Sequence, residues 1–100
     1  MITDLVQVAG ALSWTIPTDR PDTPTLYRVY IYYDQAQLQL KRFAELPVRA
    51  GYVTESGPQH QLLLTALPFP LPLGQVNARV QPVYREFEGP ASNQASWVEV

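Results

Sequence analysis

Between Leu26 and Asp34 the chain reads LYRVYIYYD, and its side chains change character at nearly every step. A period of two places Tyr27, Val29 and Ile31 on one side of an extended backbone and Arg28, Tyr30 and Tyr32 on the other. β-Branched and aromatic residues pack well on such a pleated surface, so this segment is the strongest strand in the sequence. The same period returns along the chain, while no sustained 3.6-residue apolar pattern appears. An all-β fold is therefore expected.

Other segments repeat the pattern. ALSWTIP sets Leu12, Trp14 and Ile16 against Ala11, Ser13 and Thr15, and Pro17 ends that ladder by removing a donor. A polar loop follows from Pro17 to Pro24. QLQLKRF alternates Leu38 and Leu40 with Gln37, Gln39 and Lys41, and DQAQ before it suits the connection between neighbouring antiparallel strands. Tyr52 and Val53, between Gly51 and the Ser56-Gly57-Pro58 turn signal, lie in the least clear segment and are a candidate short edge strand outside the main count. HQLLLTAL faces Leu62, Leu64 and Ala66 one way. QVNARVQPVY sets Val76, Ala78 and Val80 against Asn77, Arg79 and Gln81. QASWVEV is a last strand whose facing stays open, since Trp97 and Val98 are both apolar. With TDLVQV as the first, the count is about seven strands in an antiparallel β-sandwich, a single domain over residues 1–100.

Composition narrows the function classes. With 46% hydrophobic and 16% charged residues, the chain has the balance of one packed core. It holds no cysteine, which excludes thiolate metal sites, disulfides and cysteine nucleophiles. A net charge of −2 removes the electrostatic case for nucleic acid, and Lys41-Arg42 are the only adjacent basic residues. Residues 1–10 carry neither a basic n-region nor a long apolar run, so neither a secretory signal nor membrane insertion is expected from them.

The order of these features resembles a fibronectin type III domain, within the immunoglobulin-like sandwich class. ALSWTIP is similar to the family's second strand, with Trp14 as the inter-sheet core residue. YRVYIYY is similar to its third. In LLLTALP, Leu64, Leu67 and Pro68 match the close of its fifth strand. VNARVQPVY followed by EGPAS resembles its sixth strand and the turn into the seventh. Two departures stand out: Val76 occupies the place of the family's corner tyrosine, and the loop after the sixth strand has no Arg-Gly-Asp sequence, which removes support for integrin-type recognition.

Candidate chemistry is sparse. His60 is the only histidine; a triad would need it to meet Ser56 or Ser92 and a carboxylate, yet no nucleophile-elbow pattern flanks a serine, and an exposed strand-end histidine is the expectation. Asp19 and Asp22 read as turn formers rather than cation ligands. Glu86 and Glu88 read as solvated turn charges rather than a glycosidase pair, since a small sandwich seldom supplies the required cleft. The sharper feature is the outward face of the middle strands, with Arg28, Tyr30 and Tyr32 beside Asn77, Arg79 and Gln81 on one side and Gln37, Gln39 and Lys41 on the other. Tyrosine, arginine and amides suit a recognition surface. Ordinary cross-strand pairing on a solvated sheet explains the same residues.

No catalytic residue, cofactor or metal is expected. The resemblance implies a non-catalytic interaction or spacer module, with a protein partner or self-assembly, in a phage virion or tail or on a bacterial surface. A carbohydrate-binding accessory module using Tyr30, Tyr32 or Trp97 is the alternative. The LPFPLPLG run is expected to be internal structure: Pro68, Pro70 and Pro72 are spaced by two and offer no P-x-x-P pair to a polyproline reader. It falls at the crossover between the fifth and sixth strands of the resemblance, where Phe69, Leu71 or Leu73 would plug the core. Pro82, inside a strand, predicts a bulge or an unpaired edge side.

Overall fold

The computed structural model describes residues 1–35 and 38–100, with the side chains of residues 34–40 outside that description. The strands are β1 (Val6–Val8), β2 (Ala11–Thr15), β3 (Leu26–Gln35), β4 (Leu38–Pro47), β5 (Val53–Ser56), β6 (Gln59–Leu63), β7 (Gly74–Val83) and β8 (Ala95–Glu99), with a 3₁₀ turn over Leu64–Ala66. They form two four-stranded antiparallel sheets, ordered β1-β2-β6-β5 and β4-β3-β7-β8. The described residues thus hold eight strands rather than the expected seven, because the edge strand near Val53 forms and pairs with β6. A parallel bridge from Val48 to Val53 links the end of β4 to this strand in the other sheet. Among the described residues no helix is long and apolar enough to cross a membrane.

The inner faces are the ones that alternation marked. Tyr27, Val29 and Ile31 from β3 and Val76, Ala78 and Val80 from β7 meet Leu12 and Trp14 from β2 and Leu62 from β6, and all are fully buried. Each large apolar side chain taken out of water here stabilises the fold by about 1.5–3 kcal/mol. Three local expectations change, the first being that the strand read through Leu64 and Ala66 ends at Leu63, with Leu64–Ala66 in the 3₁₀ turn. Ala11, placed on the solvent side by alternation, is buried, with Val8 and Leu63 as its partners on the flanking strands. Ile16 lies just beyond β2 and is half-buried, its N–H donating to the Pro58 carbonyl at 3.0 Å.

The sheets are unequal in length. No strand of the first exceeds five residues, whereas β3, β4 and β7 have ten each, so the second sheet is about twice as long along its strands. The proline crossover lies between β6 and β7. Leu67 is buried, Phe69 and Leu71 pack against the core, and Arg42 sits 5.7 Å from the Phe69 ring. Leu73 instead stands 79% exposed and plugs nothing.

Pro82 occupies a regular place in β7, opposite Tyr27. Its carbonyl accepts from Gly89 N–H at 2.9 Å, on the side away from β3. A residue's N and C=O share one side of an antiparallel strand. The missing proline N–H therefore points to the flank that β8, which pairs only as far as Ala78, no longer covers. That flank meets the segment around Gly89 rather than a regular strand, with Val83 bridged to Glu88, and the Gly89 carbonyl accepts from Gln81 Nε2 instead of a proline donor, so Pro82 is accommodated without a free edge.

Candidate interaction face

The outward face of the second sheet is assembled by register. Tyr30 stands between Phe43 of β4 and Arg79 of β7, Tyr32 between Lys41 and Asn77, and Arg28 between Glu45 and Gln81. All six residues expected from β3 and β7 thus lie on one face. Of the residues expected from β4, Lys41 is present, Gln37 lies outside the described residues, and Gln39 is placed by its backbone alone, opposite Asp34. Phe43 and Glu45 were not anticipated on this face. The signal for them was available, since both continue the alternation of Lys41.

Much of the polar chemistry here is internally spent. The Tyr30 hydroxyl donates to Gln81 Oε1 at 3.0 Å, and Gln81 Nε2 donates to the Gly89 carbonyl at 2.9 Å. Arg28 donates from Nε to Glu45 at 2.9 Å and pairs through Nη1 with Glu88 at 2.7 Å. The Glu45 hydrogen bond, then the Glu88 charge, raise the Arg28 guanidinium pKa further above its ordinary value. Glu88 is thereby tied to the sheet, not merely solvated. Asn77 accepts from Ser96 Oγ at 2.7 Å and from Gln75 Nε2 at 3.3 Å, which turns it toward β8.

The apolar and cationic part is more open. Phe43 is 60% exposed, and its ring lies 6.1 Å from that of Tyr30, tilted by 34°. Lys41 Nζ spans the two tyrosines, 5.0 Å from the Tyr30 ring and 5.6 Å from the Tyr32 ring. Two open depressions flank Tyr30. One, of about 540 Å³, lies among Arg28, Lys41, Phe43 and Glu45; the other, of about 460 Å³, lies among Tyr32, Lys41, Arg79, Gln81 and Gln94. In protein–protein interfaces a few aromatic and arginine residues carry most of the binding energy.

The other candidates resolve differently. His60 is 2% exposed, which corrects the expectation of an exposed strand-end histidine. It pairs with Trp14 across β2 and β6 and so faces the core with Leu62, two residues on. Its Nδ1 lies 2.7 Å from the Tyr27 hydroxyl. Burial lowers the imidazole pKa and raises that of the phenol. With the phenol protonated and the imidazole neutral, the hydroxyl donates, Nδ1 accepts, and the ring proton sits on Nε2. The Trp14 ring stands edge-on to Tyr27 at 4.8 Å, and its buried indole N–H makes no hydrogen bond.

Neither serine meets this imidazole. Ser92 is buried and accepts from Val80 N–H at 2.9 Å while donating to the Asn93 carbonyl at 2.8 Å. Ser56 is exposed at the end of β5, opposite Gln59. Asp22 accepts from Arg20 Nε at 3.1 Å, and Arg20 in turn lies over the rings of Tyr84 and Phe87, at 5.0 and 4.4 Å. Asp19 pairs with the terminal amine at 3.5 Å. Among the described residues no group of three or more His, Asp or Glu side chains is placed to hold a metal ion.

No protein-family model matches the chain, and no curated protein matches it. The outward face rests on its geometry.

Proposed function

We propose that this chain is a non-catalytic interaction or spacer module with a fibronectin type III-like sandwich, presenting the outward face of β4-β3-β7 to a protein partner in a larger assembly. The observation that carries the reading is the contiguity of half-exposed Tyr30 and Tyr32 with 60%-exposed Phe43, bordered by Arg28, Lys41 and Arg79. Further support comes from the strand order, in which first, second, fifth and sixth strands share one sheet and the rest share the other, the division made in immunoglobulin-like sandwiches. The imidazole and the Ser92 hydroxyl are engaged in structural contacts, which favours a binding role over a hydrolytic one. A phage tail or bacterial surface assembly is the setting that the resemblance favours.

A carbohydrate-binding role is the weaker reading. Stacking a sugar needs open ring faces, and Lys41 lies over both Tyr30 and Tyr32. Trp97 packs against the core, with its indole N–H directed at Glu99.

Co-expression with the products of adjacent genes, followed by size-exclusion chromatography, tests the proposal. A stable complex lost on Tyr30→Ser or Phe43→Ser is the expected result. A complex indifferent to both substitutions places the partner on another surface, and glycan binding that depends on Tyr30 favours the weaker reading.

A further inference from the structure

β4 forms one edge of the second sheet; among the described residues its outer side meets only the parallel bridge from Val48 to Val53 just past its last residue, and nothing pairs along Lys41–Glu45. Its backbone direction can be read from the hydrogen bonds. Val48 N–H donates to the Thr25 carbonyl at 3.1 Å, toward β3. Backbone groups alternate sides along a strand, so the even-numbered positions of β4 bond to β3 while Lys41, Phe43 and Glu45 turn N–H and C=O to the open edge. The far side of the sheet agrees: Val80 exchanges both of its backbone groups with Ser92, away from β3. Arg28, Tyr30 and Tyr32 therefore bond toward β7, and Tyr27, Val29 and Ile31 toward β4.

The residues with free backbone groups also carry the outward side chains, and their order is self-complementary. Phe43 is the centre. A cation stands two residues before it and an anion two residues after it, at Lys41 and Glu45. We infer that two copies of this chain pair antiparallel through β4 about a twofold axis at Phe43, extending each sheet into one continuous eight-stranded sheet. Phe43 then faces the partner's Phe43, and Lys41 faces the partner's Glu45, with the reciprocal pair completing the symmetry. All three are hydrogen-bonded positions, and each sets compatible side chains side by side on one face.

Neighbouring registers are poorer. Moving the axis to position 42 sets Lys41 against the partner's Phe43. Moving it to 44 sets Lys41 against the partner's Pro47, which has no N–H to give. Proteins block unwanted edge pairing with lysine, proline or inward charges. Here Pro47 limits the ladder at one end, and Arg42, on the inward side, is drawn over the Phe69 ring, leaving the Lys41–Glu45 segment clear. The pairing is independent of what the outward face binds, and it would join the two faces into one.

Light scattering across concentration tests the inference on the intact chain. The mass is expected to rise from 11.3 kDa toward twice that value. Lys41→Glu, which sets like charges against the partner's Glu45 at two symmetric places, is expected to weaken the dimer at least about tenfold. Adding Glu45→Lys to it restores attraction and the dimer. Phe43→Cys gives an independent measurement, because the chain has no other cysteine and a hydrogen-bonded antiparallel pair holds its Cα atoms about 5.5 Å apart, within disulfide reach. Mild oxidation is expected to cross-link this variant far more than Gln75→Cys. A mass of 11.3 kDa up to about 1 mM, a dimer that Lys41→Glu does not weaken or the double swap does not restore, or equal cross-linking of the two cysteine variants overturns the inference.

Discussion

The Tyr27 hydroxyl and His60 Nδ1 meet at 2.7 Å across the two sheets, each residue almost wholly enclosed. The Trp14 ring stands edge-on to Tyr27 at 4.8 Å and closes the third side. This polar contact joins the sheets where the surrounding core is apolar. Its chemistry makes the fold sensitive to pH and to single atoms.

Stability is expected to fall as the solution becomes more acidic than the ordinary histidine pKa of 6.5. Burial lowers the His60 pKa in the folded chain, so between that lowered value and 6.5 the unfolded chain binds the extra proton and is favoured. Above 6.5 the full stability is present. The slope contributed by one such group is at most about 1.4 kcal/mol per pH unit. Urea unfolding midpoints measured from pH 8 to pH 5 should decline in the native sequence and lie flatter in His60→Gln. Equal slopes would show that His60 charges freely in the folded state.

A second, separate decline is expected at lower pH. The Thr15 hydroxyl donates to the Asp4 carboxylate, and Thr15 N–H donates to it at 3.0 Å; together they lower the Asp4 pKa below 3.8. The stability this provides is present above 3.8 and is lost as pH falls through the folded value. In Asp4→Asn the loss below pH 4 should shrink while the His60 window stays unchanged. Unfolding curves for both variants separate the two effects.

Tyr27→Phe is expected to destabilise the fold by about 1–3 kcal/mol, the cost of leaving the buried imidazole nitrogen without its donor. The ring contact with Trp14 survives the change. Equilibrium unfolding in urea measures the loss, and a neutral result would mean that water reaches His60.

Gly89→Ala is expected to cost about 1–3 kcal/mol by crowding. A Cβ at Gly89 would lie 2.8 Å from Pro82 Cγ and 3.5 Å from the Tyr84 ring. The same substitution at Gly57 meets open space but a φ of +59°, and its cost should stay near 1 kcal/mol. Thermal unfolding of the two variants gives the order directly.

Pro70→Ala combined with Pro72→Ala is expected to lower stability by about 0.4–1 kcal/mol per site, mainly by loosening the unfolded chain. Phe69 and Leu71, which the prolines hold against the core, would gain freedom as well. An unchanged melting temperature would show that the crossover owes nothing to its fixed φ angles.

The inward set of β3 and the inward set of β7 were legible in the sequence, because each depends on period two; how Pro82 is accommodated was not, because Gly89 and Gln81 meet it only in the fold. The same rule, applied backwards from Leu62, would have turned His60 inward. Polarity argued the other way, and only its partner Tyr27, 33 residues earlier, shows how the imidazole is satisfied. The side of Phe43 was readable from the alternation of Lys41, but its neighbours were not. Its ring matters because the register sets it beside Tyr30, and register depends on strands that lie far apart in the chain.

The sequence alone determined that the chain forms strands and which side of β3 and β7 carries the core. Those properties are local, set by side-chain alternation and backbone sterics within a few residues. Tertiary structure decided which strands are neighbours, that β4 is an edge with Lys41, Phe43 and Glu45 bonded outward, and that Tyr27 and His60 meet. These are relations between distant segments, fixed by how two sheets of unequal length close over one core.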